Sequence, residues 1–254
     1  MRVLRLAPFL LLTSLALAAV ASGSASTGAR SPAVLKHAPP AFLIGHSYST
    51  NWAGYSSFGG NGTFTDVKGS WMQPTASCTN KTSYSSFWVG LDGYNSNSVE
   101  QLGTEADCSH GKPVYYAWWE MYPNPSHTIG GFTVTPGVTY TAEVKYNGSG
   151  SFTLSISGGG QSFSTNQTLS NPSLSSAEWI AEAPSMCAGN CRVLPLTNFG
   201  TVNFSGSSAN GKAINNSAWS DDPLTMVTNG LQVKAAPSGL DSSGSAFSVT
   251  WAHS

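Results

Sequence analysis

VTYTAEVKYN, residues 138–147, decides how this chain is read. Val138, Tyr140, Ala142, Val144 and Tyr146 alternate with Thr139, Thr141, Glu143 and Lys145. A period of two places every apolar side chain on one face of an extended chain, as in a half-buried strand. SFTLSIS (151–157) repeats the pattern on Phe152, Leu154 and Ile156, and only Gly148-Ser149-Gly150 separates the two runs. That spacing predicts a β-hairpin. Outward from it, FGTVNFSG (199–206), GLQVKAA (230–236) and SAFSVTWA (245–252) read as further strands, and GGNG, GSGS and SGGG clusters as turns. The expected class is all-β: one sandwich of two curved antiparallel sheets, of the concanavalin-like or jelly-roll type. Residues 48–254 suit one such domain better than two. No internal repeat is visible.

The N-terminus reads differently. Arg2 and Arg5 precede an apolar run and then small residues, with an A-x-A pattern at Ala19-Val20-Ala21. Residues 1–21 are expected to be a secretory signal peptide, too short and wrongly flanked for a retained anchor. The product would be secreted and extracellular, with no membrane partner. Residues 22–47 are rich in Ser, Ala and Pro, carry Arg30, Lys36, His37 and His46, and have no period. They read as a pro-segment or linker: a disordered leader, or a basic propeptide over an acidic cleft. Four cysteines suit an oxidising compartment, paired as Cys78–Cys108 and Cys187–Cys191, the second enclosing only Ala-Gly-Asn. The lone C-x3-C is a poor zinc motif, and no metal is expected. Charged residues are only 9% of the chain. From residue 48 onward seven Lys/Arg face all 12 Asp and Glu, a net charge of −5. Such a body has no basic stripe for nucleic acid.

Catalytic candidates follow by elimination. There is no G-x-S-x-G, the cysteines are paired, and His110, His127 and His253 read as surface residues. Carboxylates helped by amides remain. SAEWIAEAP (176–184) has Glu178 and Glu182 four apart, on one face in either a helix or a strand, and the all-β setting favours the strand. Taken alone, it could be an exposed face with two solvated acids. FWVGLDGYNSNSVEQLGTEADC (87–108) adds Asp92, Gln101 and Glu105, and YYAWWEMYP (115–123) sets Glu120 among aromatics. An acid buried there is costly unless it is bonded.

NWAGY (51–55), SFWVGLDG (86–93), EQLGTE (100–105), AWWEMYP (117–123), SAEWIAE (176–182) and PLTNFGTVNF (195–204) stand in the order seen in the glutamic peptidases, or eqolisins, which the chain resembles over roughly residues 50–230. The resemblance implies an acid endopeptidase acting on protein or peptide substrates without a cofactor. It implies that Gln101 and Glu178 form the catalytic pair and that Trp52 and Trp88 wall the site. It also implies that Asp92, Glu105, Glu120, Tyr122 and Glu182 support substrate binding. The chain departs from the fungal pattern at Val99-Glu100-Gln101-Leu102-Gly103 and at Ala183-Pro184. Two other readings remain: a glycoside hydrolase working through Glu120 and Glu178, and a carbohydrate-binding module. A monomer is the default for a secreted hydrolase.

Overall fold

The structure is a computed structural model that describes residues 33–44 and 47–254. The signal-peptide reading of residues 1–21 lies outside the described residues, as does the beginning of the 22–47 segment. Among the described residues there is no helix, and two large antiparallel sheets carry the fold.

The first sheet runs in the order Ser220–Val227, Trp52–Phe58, Ser176–Glu182, Ser86–Leu91, Val99–Ser109, Lys112–Tyr122 and His127–Thr128. The second runs Gln161–Thr168, Ser151–Gly158, Thr139–Gly148, Asp66–Met72, Thr201–Ala209, Phe247–Trp251, Val233–Pro237 and again Ser220–Val227. Strand Ser220–Val227 belongs to both. Its first half pairs with Trp52–Phe58, and Met226 and Val227 pair with Val233–Pro237, so it turns the corner between the sheets. A small third sheet joins Val34–Lys36 to the hairpin Ser185–Ala188 and Asn190–Val193.

The hairpin read from the sequence is present. Thr139–Gly148 pairs with Ser151–Gly158 in continuous register apart from a bulge at Tyr146/Gly148. The turn is tighter than the Gly-Ser-Gly spacing suggests, because Gly148 stays in the strand. Ser149 and Gly150 both take positive φ (52° and 75°), the backbone of a type I′ turn that matches strand twist. Val144, Phe152, Leu154 and Ile156 point into the core between the sheets, as their period requires. Both disulfides join the expected partners, Cys78–Cys108 and Cys187–Cys191.

Ser176–Glu182 is a central strand, and both of its faces are buried. Ala177, Trp179 and Ala181 face the second sheet within the main core. Ser176, Glu178, Ile180 and Glu182 face the other way and are buried too. The reading of two solvated acids is therefore overturned: Glu178 and Glu182 are both 0% exposed. Trp179 also ties the layers together by a hydrogen bond, its Nε1 donating to the carbonyl of Lys68 in the opposite sheet at 2.7 Å. Trp179→Ala should therefore destabilise the domain by about 3–5 kcal/mol, read as a lower denaturation midpoint with an unchanged slope.

Candidate active site

Three rows of side chains cross the outer face of the first sheet, set by the strand register. One row is Asp222–Ser56–Glu178–Gly90–Gln101–Glu120. Two residues along the strands, the next is Gly54–Ile180–Trp88–Gly103–Trp118. The third is Trp52–Glu182–Ser86–Glu105–Tyr116. Residues two apart share a strand face, so the acids and amides of the outer rows flank a middle row of Ile180, Trp88 and Trp118. The rows thus gather seven of the nine residues suggested by the sequence; Tyr122, paired with Val99 two residues beyond Glu120, shares their face, and Asp92 follows directly on strand Ser86–Leu91.

Glycines open this surface. Gly90 stands between Gln101 and Glu178, and a Cβ there would come within 3.1 Å of the Gln101 Cβ and 2.9 Å of the Trp88 ring. With no side chain at Gly90, Gln101 and Glu178 can lean over it from strands on either side, their Cα atoms about 10 Å apart. Gly103 similarly makes room for Trp88, whose Cβ would lie 2.6 Å from an added methyl.

The acids are held by specific donors. Ser56 Oγ donates to Glu178 Oε1 at 3.2 Å, and Trp88 Nε1 to Glu182 Oε2 at 2.9 Å. Among the described residues, Gln101 Oε1 and Glu178 Oε2 are buried acceptors with no protein partner. Asp92 takes the backbone N–H groups of Leu174 and Ser175 at 2.7 and 2.8 Å. It anchors the chain entering strand Ser176–Glu182 and so positions Glu178. Trp52 and Trp88 meet edge to face, with ring centroids 4.9 Å apart. Tyr122 lies beneath the Lys36 ammonium, 5.6 Å from its ring centre.

Part of the 22–47 segment lies across this surface. The His37 ring is fully buried, flat against Trp118, with Nδ1 2.8 Å from Glu120 Oε2 and Nε2 2.7 Å from Glu105 Oε1. Its backbone N–H donates to Glu120 Oε2 at 2.9 Å, and Gln101 Nε2 donates to its carbonyl at 2.7 Å. Trp52 Nε1 and Asn51 Nδ2 then donate to the carbonyl of Ala38 at 2.9 and 3.0 Å.

Burial dominates the protonation of this face. It pushes the carboxyls of Glu105, Glu178 and Glu182 well above their ordinary value, and likewise that of Glu100 on the opposite face of its strand, with neighbouring acids adding to the rise. Glu120 is pushed up to about 8 by burial, against the opposing pull of the His37 N–H and of Lys36. Burial moves the His37 imidazole the other way, well below its usual value. Among the described residues no group of three or more His, Cys, Asp or Glu is disposed to hold a metal ion. No described helix is long and apolar enough to cross a membrane.

The model of the peptidase A4 family matches residues 50–249, which contain all three rows. The chain belongs to the peptidase A4 family. Among curated relatives, aspergillopepsin-2 of Aspergillus niger is 29% identical over 188 residues, covering 64% of this chain and 64% of that protein. Scytalidopepsin B of Scytalidium lignicola is 29% identical over 163 residues, 59% of each. The match thus spans under two thirds of these relatives' own lengths. Among solved structures, scytalido-glutamic peptidase with a transition-state analogue inhibitor superposes with a TM-score of 0.69 at 22% identity, covering 80% of this chain and 98% of that one. Aspergilloglutamic peptidase from Aspergillus niger gives 0.57 at 22% identity, covering 67% and 99%. These structures share the β-sandwich fold.

Several residues of this peptidase A4 surface escape a reading of sequence alone. Trp118 is one of them, although its place two before Glu120, which puts both on one face, is a signal that could have found it. Asn51 stands at the head of the NWAGY motif, whereas Ser56 and Asp222 carry no local mark, and neither does His37, which sits in a segment without period.

The pH dependence of stability has a definite sign. For the buried carboxyls, including Glu120 at about 8, the folded pKa exceeds the unfolded value of about 4.3. The folded state then binds more protons between those values, so their contribution is complete below about pH 4 and is lost as pH rises through the folded pKa values. His37, whose pKa is depressed, contributes oppositely: above about pH 6.5 in full, and progressively less as pH falls through its folded value. The carboxyls outnumber it. The Tm should fall by more than about 5 °C between pH 4 and pH 8, as calorimetry would show. Gly90→Ala should lower the Tm measurably, since the added methyl forces the Gln101 Cβ or the Trp88 ring to shift at a cost of about 1–3 kcal/mol.

Proposed function

We propose that this chain is a secreted acid endopeptidase that hydrolyses peptide bonds through a water activated by Glu178, with Gln101 stabilising the oxyanion. The observation that carries this reading is the 2.7 Å hydrogen bond from Gln101 Nε2 to a peptide carbonyl, that of His37, in the row that also contains Glu178. A donor already on a ground-state carbonyl is suited to the negative charge that develops there when the carbonyl is attacked.

Gln101 Oε1 and Glu178 Oε2, two of the buried acceptors without protein partners, belong to residues on either side of Gly90 in one row and suit the two hydrogens of a water. Ionised Glu178 takes one proton as the water oxygen adds to the acyl carbon, and returns it to the leaving amine. Gln101 does not titrate, and one such donor contributes about 3–4 kcal/mol in the transition state.

The 22–47 segment acts in this reading as a pro-segment, whose residues around His37 lie in the cleft. While it is in place, burial keeps the Glu178 carboxyl protonated, and a protonated carboxyl cannot act as a base. Release admits water and returns Glu178 toward its ordinary value of about 4.3. The optimum is then expected on the order of pH 3–5, with activity falling on the acid side as Glu178 gains its proton. The sugar-directed readings lose ground, because Glu120 Oε2 is engaged by both the backbone N–H and ring of His37, and Gln101 stands between Glu120 and Glu178.

Hydrolysis of an acid-unfolded protein, followed from about pH 2 to 7 with a chelator present, tests the proposal. Wild-type protein should cleave. Glu178→Gln should lower kcat by about 10³-fold or more, and Gln101→Ala by about 10²–10³-fold. Full activity in Glu178→Gln would overturn the mechanism.

A further inference from the structure

The cleft grips one residue of its own chain by every polar group that residue has. The N–H and ring Nδ1 of His37 both meet Glu120 Oε2, its Nε2 meets Glu105 Oε1, and its carbonyl accepts from Gln101 Nε2. The ring lies 3.4 Å from the Trp118 ring, centroid to centroid, with planes 3° apart. The chain is also held on both sides. Lys36 Nζ donates to the carbonyl of Pro123 at 2.6 Å, and the carbonyls of Ala38 and Pro39 accept from Asn51 Nδ2 at 3.0 and 3.2 Å. A carbonyl seated on Gln101 fixes which bond is presented, here the bond between His37 and Ala38. The side chain between Glu105, Trp118 and Glu120 therefore belongs to the residue on the acyl side of that bond.

We propose that the pocket of Glu105, Trp118 and Glu120 is the subsite that reads the acyl-side side chain of a substrate, and that imidazole is the group it selects. This rests on the peptidase reading above. The argument is one of shape and donor placement. A group parallel to an indole at this distance has to be planar, which favours His, Phe, Tyr, Trp and Arg over Lys or Leu. Of these, imidazole carries a nitrogen at each end of a short ring, matching one carboxyl oxygen on each side. Phenylalanine fills the slot but leaves two buried acceptors without donors, which lowers binding by about tenfold or more. Arginine's first donor stands as far along its stem as imidazole's last, so its remaining donors overshoot both acceptors.

Charge supports the same choice. Below about pH 6 a substrate histidine in water is an imidazolium with an N–H at both ends. The groups around the pocket are Glu105, Glu120, Asp107 and Glu182, with Lys36 the cation nearest Glu120. Burial pushes the Glu105 and Glu120 carboxyls up and the seated imidazole down, so the proton an incoming imidazolium carries is shared along its contacts with those carboxyls. Hydrolysis in this register adds the water oxygen to the acyl carbon of the histidine and breaks its C–N bond. The new amine leaves with the proton carried by Glu178.

The test is to map every cut in an acid-unfolded protein digested at about pH 4, using the wild-type chain and the full chain carrying His37→Ala, which removes the imidazole the cleft supplies to itself. If the variant does not fold, the wild-type digest gives the same readout. Histidine should stand at the new C-termini at about tenfold its share of the substrate, and its excess over phenylalanine should drop several-fold in Glu120→Gln. Cuts without a histidine excess, or with lysine and arginine ahead of histidine, overturn the subsite and leave the peptidase reading intact. No cuts by either chain between about pH 2 and 7 overturn both.

Discussion

The costliest feature of this molecule is the burial of acid on one sheet face. Four of its six glutamates, Glu105, Glu120, Glu178 and Glu182, are fully buried there, while Glu100 is buried on the opposite face of its strand and Asp92 just past strand Ser86–Leu91. An isolated carboxylate out of water is strongly unfavourable, so each group must be protonated, paired or hydrogen-bonded. Much of the local structure answers that demand. Trp88 turns its indole N–H on Glu182, Ser56 its hydroxyl on Glu178, and the backbone of Leu174 and Ser175 closes on Asp92.

The same demand explains how the 34–41 segment packs. Few other groups of this sparsely charged chain could supply N–H donors to both Glu105 and Glu120 at once. His37 brings a ring for Trp118 and donors for both carboxyls, while Lys36 places a cation near Glu120. The contact between His37 Nε2 and Glu105 Oε1 carries one proton whichever atom it rests on. The segment and the acidic face therefore solve each other's solvation problem. Covering that face also seats a peptide carbonyl on Gln101, so the way the acids are buried resembles the way a substrate would be engaged.

Stability and chemistry are separated by the period of the strand. In Ser176–Glu182, Trp179 faces the second sheet and hydrogen-bonds Lys68 across the core, while its neighbours Glu178 and Ile180 face the cleft. One face is packed from tryptophan, alanine and leucine and the other from acids, amides and indoles. The inner face fixes the strand spacing, and the spacing fixes how far Gln101 stands from Glu178 across Gly90.

What the sequence determined by itself was periodic or contiguous. The alternation in VTYTAEVKYN and SFTLSIS requires a sheet, since only an extended chain puts every second residue on one face. Glu178 and Glu182, or Trp118 and Glu120, must share a face for the same local reason. The disulfide pairs and the order of the family motifs were legible in the same way. Only the tertiary structure decided which strands lie side by side. The row Glu178–Gly90–Gln101–Glu120 joins four strands by register. His37 meets Glu105 across 68 residues and Glu120 across 83. Its segment has no alternation and many turn formers, so nothing local distinguishes it from a solvated tail. Its place follows from the buried carboxyls it meets, and their burial is a property of the assembled sheet.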